Sequence, residues 1–186
     1  GYLDVAAFHQ KYEDNIEYLF GIWDPNVSIV GFKFLNTGKS QVRGLDISIA
    51  ATTPETNKRF GVSALIGYTY IEPITLTPDS VYGYSKNLDG SVGQALNYKN
   101  SSIDTTDNIL KYRFQHMFKM DIEFKIYRFN IGVSNKYYTK MQNIDRAFTF
   151  IEKLTYDNQD FFDVISATNY WQTHLDISIW DARVSY

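Results

Sequence analysis

KYRFQHMFKMDIEFKIY, residues 111–127, alternates without interruption. One parity reads Tyr112, Phe114, His116, Phe118, Met120, Ile122, Phe124 and Ile126. The other reads Arg113, Gln115, Met117, Lys119, Asp121, Glu123 and Lys125. Successive side chains of a strand point to opposite faces, so this run predicts a strand with one apolar and one polar face. A helix repeats every ~3.6 residues and cannot hold a period of two over such a length. The run is also longer than the usual ~5–6 residues of a strand in a soluble sheet.

The same period recurs on both sides. Phe60, Val62, Ala64, Ile66, Tyr68 and Tyr70 alternate with Gly61, Ser63, Leu65, Gly67 and Thr69. Phe129, Ile131, Val133 and Tyr137 alternate with Asn130, Gly132, Ser134, Lys136 and Tyr138. Leu45, Ile47 and Ile49 alternate with Gly44, Asp46 and Ser48. Near the end, Leu175, Ile177 and Ile179 share one parity, while Trp180, Ala182, Val184 and Tyr186 take the other. That phase change predicts a β-bulge between Ile179 and Trp180. The first run, from residue 2, is ambiguous in phase. Together these runs predict an all-β, antiparallel meander of about six long strands, over residues 2–18, 31–51, 59–72, 110–127, 129–144 and 170–186. The connections alternate in length. Those at 52–58 and around Arg128 are short, the one at 21–30 is intermediate, and those at 73–109 and 146–169 are long.

Composition narrows the class. The 186 residues contain no cysteine, which excludes a disulfide scaffold, a cysteine zinc site and a thiol enzyme. Lys and Arg total 18 against 21 Asp and Glu, so no basic surface for nucleic acid is in prospect. Aromatics reach 17 %, against disorder. No apolar run is long enough for a membrane-spanning helix, which leaves a membrane barrel open, since barrel strands are only half apolar. Both termini read as strands, and the chain reads as a piece of a larger protein.

The aromatics sort along the strands. With the long loops placed outside the cell, the upper strand ends carry Tyr68, Tyr70, Tyr112, Phe114, Tyr137, Tyr138, Tyr170 and Trp171. The lower ends carry Phe60, Tyr127, Phe129 and Tyr186, and Val62, Ala64, Ile66, Phe118, Met120, Ile122 and Ile131 lie between. Two aromatic girdles around an apolar band, with short turns on one side and long loops on the other, predict a segment of a larger transmembrane β-barrel. Tyr68, Tyr70, Tyr112, Phe114, Tyr127, Phe129, Trp171 and Tyr186 are the expected girdle residues.

Five segments, taken in order, resemble the TonB-dependent outer-membrane receptors, especially those of Bacteroidetes-type bacteria. Asp14-Asn15-Ile16-Glu17 is similar to the family's "D-x-I-E" stretch. Asn36-Thr37-Gly38 followed by Val42-Arg43-Gly44-Leu45-Asp46 resembles its "N-x-G … V-x-G-hydrophobic-E" strand, with Asp46 where Glu is usual. Gly67-Tyr68-Thr69-Tyr70, Leu110-Lys111-Tyr112-Arg113 with His116, and Asp181-Ala182-Arg183 resemble its "GYTY", "L-K-Y-R-x-x-H" and "D-x-R" segments. The resemblance covers nearly all of residues 1–186 as part of the barrel domain, near its C-terminal end. The plug, the TonB-binding segment and the closing hairpin are not among these residues. It implies a bacterial outer-membrane receptor that imports a scarce nutrient, such as a metal–siderophore complex, with energy from TonB. The implied partners are outer-membrane lipid, the remaining barrel and plug, TonB through the N-terminal part, and a small-molecule nutrient. A small passive barrel or adhesin, and a soluble all-β ligand-binding module, are the rival readings.

Residue chemistry adds candidates but no active site. Arg43, Asp46, Arg113, Lys119, Asp121, Glu123 and Lys125 are expected on the lumen wall, with Asp121 and Glu123 compensated by the flanking lysines. Tyr82, Tyr84, Asn87 and Asp89, in the long loop with Gly83, Gly90 and Gly93, are the candidate ligand-binding residues, because loops on a rigid barrel tend to carry recognition. Phe148, Ile151 and Leu154 have helical spacing and are followed by Phe161 and Phe162, which predicts a short loop helix or a folded-over cap. His9, His116 and His174 are scattered and form no metal-ligand set, no cofactor motif is present, and no catalytic constellation is legible, so the chain does not read as an enzyme.

Overall fold

The alternating run becomes strand only from His116 onward. The computed structural model describes residues 1–26, 29–54, 59–149 and 176–186. Six strands form one antiparallel sheet: β1 (Tyr2–Tyr12), β4 (Ser40–Thr52), β5 (Phe60–Thr75), β8 (His116–Ile126), β9 (Phe129–Thr139) and β10 (Asp176–Ser185), in the spatial order β1-β4-β5-β8-β9-β10. Two short hairpins are set off from it, β2 (Ile16–Asp24) with β3 (Ile29–Asn36), and β6 (Gly83–Lys86) with β7 (Val92–Leu96). A short helix, α1 (Tyr98–Ser101), follows β7. The all-β class and the meander of six long strands are therefore present; among the described residues the sheet is open, with β1 and β10 as its edges.

Register explains the two faces. Val5 faces Ile47, Ile47 faces Tyr68, Tyr68 faces Phe118, and Phe118 faces Tyr137. Directly opposed residues share a face, so one apolar surface runs through β1, β4, β5, β8 and β9, and Trp180, Ala182 and Val184 extend it onto β10. This settles the phase of the first run: Leu3, Val5 and Ala7 lie on the apolar side. The surface is uncovered, with Val5 57 % and Trp180 62 % exposed.

All three long connections leave from one end of the sheet, and the short ones close the other. At the short end, Ile126 pairs with Phe129 across Tyr127 and Arg128, and Tyr127 takes φ 56 to make the turn. At the loop end, several expected strands stop early. The run at 2–18 breaks at Asp14 (φ 52) and the run at 31–51 at Gly38 (φ 89). A hydrogen bond from Asn15 N to the Gly38 carbonyl (2.7 Å) holds the two breaks side by side, so β2–β3 leaves the sheet as a unit. Gly38 also tolerates no side chain, since a Cβ would meet Thr77 Oγ1 at 2.4 Å.

The run at 110–127 loses residues 110–115 because Asn108 (φ 55) and Tyr112 (φ 58) turn the backbone and take Lys111 into the interior. The run at 129–144 stops at Thr139, after which Phe114 bridges to Met141 and Ser102 to Asp145. The expected bulge in the last run is absent: the register from Asp176↔Thr139 to Ser185↔Asn130 is continuous. On this edge strand the phase change in sequence simply places Ile177 and Ile179 on the polar face. The expected loop helix is seen only at residues 147–149; Ile151, Leu154, Phe161 and Phe162 lie outside the described residues.

The apolar core sits at the loop end, outside the six-stranded sheet. Leu19, Trp23, Tyr98, Ile109, Leu110 and Ile144 are all buried there, where β2–β3, α1 and the segments around residues 110 and 144 meet.

Candidate functional site

Two polar assemblies stand out, one on the polar face of the sheet and one inside the loop-end core. On the face, Asp46, Lys119, Asp121, Glu123 and Lys125 share one side of β4 and β8 as expected. Arg43 does not. Its parity is that of Leu45, which puts it on the apolar side, paired with Glu72 on β5. Arg113 lies off the strand, 3.9 Å from Glu17.

The acids of the face are not compensated by the flanking lysines. Arg183, on β10, spans β9 and donates from both terminal nitrogens to Asp121 at 2.8 Å, with a longer bond of 3.4 Å to Glu123. Gly132 lies directly between them, opposite both Arg183 and Glu123. A Cβ there would meet Arg183 Nε at 2.5 Å. A cavity of about 590 Å3 opens on this face, lined among others by Asp46, Gly67, Lys119, Asp121, Lys136 and Asp181.

The second assembly is buried. Lys111, whose side chain is 0 % exposed, donates to Asp145 Oδ1 at 2.5 Å and to Ser101 Oγ at 2.7 Å, and its ammonium sits over the Tyr98 ring. Asp145 also accepts from the Tyr112 hydroxyl (2.6 Å) and from Phe20 N (2.7 Å). Glu17 accepts from Tyr98 OH at 2.7 Å and from Thr37 Oγ1 at 3.4 Å. Tyr98 OH in turn receives the Lys111 backbone N–H.

Burial dominates the electrostatics of this assembly. It raises the Glu17 carboxyl above its ordinary value despite the opposing pull of Tyr98, Arg113, Lys111 and Thr37. It lowers the Lys111 ammonium despite Asp145 and Glu17. The Tyr82, Tyr98 and Tyr112 hydroxyls are all pushed up by burial, with nearby carboxylates adding to the shift. These groups act as fixed hydrogen-bonding struts. A network this fully satisfied in a low-dielectric interior rigidifies what it joins.

The cluster explains several motif residues. Glu17, Thr37 and Lys111, from three separated segments of the resemblance, meet in it. Tyr112 belongs here too, its ring 5.8 Å from Phe32, rather than in the upper aromatic row. Phe114 lies just beyond β8 and packs on Tyr138 at 5.2 Å. The upper row holds Tyr137 and, around His116, Tyr68 and Tyr70, with Tyr68 OH 2.7 Å from His116 Nδ1. At the turn end, Tyr127 packs on Phe60 and Phe129 on Tyr186, at 5.5 and 5.0 Å. Trp171 and His174 lie outside the described residues.

The loop candidates separate. Tyr82 is drawn inward, its hydroxyl bonded to Ser101. Asn87 and Asp89 shape the β6–β7 turn: Gly90 N donates to the Asn87 carbonyl, and the Asp89 carboxylate accepts from Ser91 N at 2.9 Å. Those bonds from Ser91 hold the Asp89 carboxyl below its ordinary value. Tyr84 alone of the four presents a largely exposed ring, 58 % accessible, beside exposed Leu88 and Val92.

No protein-family model matches the chain, and no curated protein and no solved structure matches it either. The buried Lys111–Asp145 pair and the Arg183 bridge had a partial signal in the sequence, as single charges inside resembling motifs. The pairings themselves had none: Asp121 and Glu123 read as compensated by the flanking lysines, and both Arg183 and Asp145 come from elements far along the chain from their partners.

Proposed function

We propose that these residues form part of the wall of a TonB-dependent receptor barrel in a bacterial outer membrane, importing a scarce nutrient such as a metal–siderophore complex. The observation that carries the reading is the continuous apolar face of six paired strands, with Tyr68, Tyr70 and Tyr137 at one end and Phe60, Tyr127, Phe129 and Tyr186 at the other. Strands of 10 to 16 residues match what a tilted strand needs to cross a bilayer. Water does not favour an exposed surface of this apolar extent on a soluble domain, whereas lipid does.

On this reading the polar face lines the lumen, and its charged side chains keep the wall hydrated. The loop-end core fixes the outer loops to the wall, leaving Tyr84 and its neighbours to meet the ligand. The remaining barrel, the plug and TonB are the partners, and no chemistry on substrate is involved. The test is localisation and uptake. The full-length protein should fractionate with the outer membrane, and uptake of its nutrient should stop when TonB is deleted. Recovery as soluble periplasmic material would end the proposal, and uptake independent of TonB would reduce it to a passive barrel.

A further inference from the structure

We infer that the polar face carries an oxyanion-binding site made by Lys119 and Lys136 over Gly67. The two lysines are directly opposed on β8 and β9, both exposed, and neither has an ion-pair partner among the described residues. Directly opposed residues of an antiparallel pair have Cα atoms about 4.5–5.5 Å apart. Like charges in that position oppose each other. Elsewhere on the face, Arg183 holds Asp121 and Glu123, and the Asp46 carboxylate accepts from Thr69 Oγ1 at 2.6 Å. An oxyanion between the two ammonium groups converts the repulsion into charge-assisted hydrogen bonds.

The backbone leaves room for it. Gly67 lies directly opposite Lys119 on the other side, and opposite Ser48 on β4. Two other glycines of this face are roofed by a neighbour, Gly44 by the Phe8 ring and Gly132 by Arg183. Over Gly67 nothing comes nearer to an added Cβ than the Ile47 carbonyl, at 4.0 Å. The floor beside the lysines is thus open and lies within the cavity described above. Asp181, one row toward the turn end and opposite Ser134, is the nearby carboxylate without a partner among the described residues; it weakens the site without filling it. The ligand class is a small diffusible oxyanion with two or more acceptor oxygens, of the phosphate or polycarboxylate kind.

The inference rests on the barrel reading for the access of water to this face, and binding is measured without transport so that the two fail separately. Full-length protein in detergent, its lysines 13C-dimethylated with their charge kept, is titrated with inorganic pyrophosphate at constant ionic strength and followed by NMR. Lys119 and Lys136 should shift together along one saturable curve, while Lys125, exposed on the same face, stays still. Lys119→Gln or Lys136→Gln should weaken binding roughly tenfold or more, the loss of one charged hydrogen bond. Gly67→Val, which fills the floor and keeps both charges, should weaken it comparably, and Asp181→Asn should tighten it. Shifts that are linear and shared with Lys125, or an affinity indifferent to Gly67→Val and to both lysine variants, would overturn the inference.

Discussion

Arg183 and Asp121 face each other from strands that are not neighbours, and two bonds of 2.8 Å join them across β9. The span is possible because Gly132, on the strand between, offers no side chain to climb over. The pair therefore ties β8 to β10 diagonally across β9, beyond what backbone pairing does.

That relationship predicts a coupling. Gly132→Val should destabilise the sheet in the native background and much less in an Arg183→Ala background, where the collision partner is gone. A double-mutant cycle on denaturant unfolding measures the difference. Equal costs in the two backgrounds would mean that Arg183 does not lie over Gly132.

Asp145→Ala should be among the most damaging single changes at the loop end. It leaves Lys111 charged and buried without its ion-pair partner, at a cost of about 3–5 kcal/mol. Changing both partners, Lys111→Met with Asp145→Asn, should recover most of that, because neither member of the pair is left charged without the other and the amide oxygen can still accept from Phe20 N and Tyr112 OH. Unfolding of the three proteins, compared at one pH, decides it. A double variant no better than Asp145→Ala would show that the ion pair itself is what stabilises.

The pH dependence at this end follows from Glu17. Its carboxyl is raised above 4.5 in the folded chain, so over the window from 4.5 up to the raised value the folded state binds more protons than the unfolded one. Stability therefore falls as pH rises through that window. Lys111, lowered from 10.5, acts in the opposite sense and at higher pH: below 10.5 the unfolded chain holds more protons, and stability rises with pH there. Trp23, buried on β2 with Glu17, can report the first effect by fluorescence in a protein with Trp171 and Trp180 replaced by Phe. Glu17→Gln should flatten the acid-side slope, and an unchanged slope would assign it to another group.

Adjacent residues on β5 test the two faces. Ala64 lies opposite Ile122 on the apolar side, and Leu65 lies opposite Asp121 on the polar side. In a bilayer, Ala64→Arg near mid-strand should cost about 2–4 kcal/mol. Leu65→Arg, at a wet wall beside Asp121, should stay within about 0.5 kcal/mol. Urea unfolding of the full-length protein from phospholipid vesicles gives both numbers. The reverse ranking would place lipid on the wrong side.

Local geometry was legible in the sequence, and distant partnership was not. The alternation at 60–71 and 116–126 reports directly which side each residue takes, because strand parity is a nearest-neighbour property. Arg43 was the exception: its charge put it on the expected wet wall, whereas its register puts it with Leu45 on the apolar side, where Glu72 pairs with it. Lys111 was different. Parity assigned it to a strand, but acids at positions 17 and 145 draw it into the interior, and the backbone turns at Asn108 and Tyr112 to let it go. The aromatic character of Tyr112 was read correctly and its location was not, for the same reason. The resemblance marked Glu17, Thr37 and Lys111 separately; only the three-dimensional arrangement shows that they are one assembly.

The β6–β7 tip stands apart from that assembly in a practical way. Its turn at Asn87 and Gly90 is closed by its own hydrogen bonds, and the base beneath it is held by Tyr82, Tyr98 and Ser101. A peptide inserted between Asp89 and Gly90 would interrupt none of the bonds of the base. The hairpin is thus a natural mounting point for a foreign epitope, displayed on a pedestal whose rigidity comes from residues the insertion never touches.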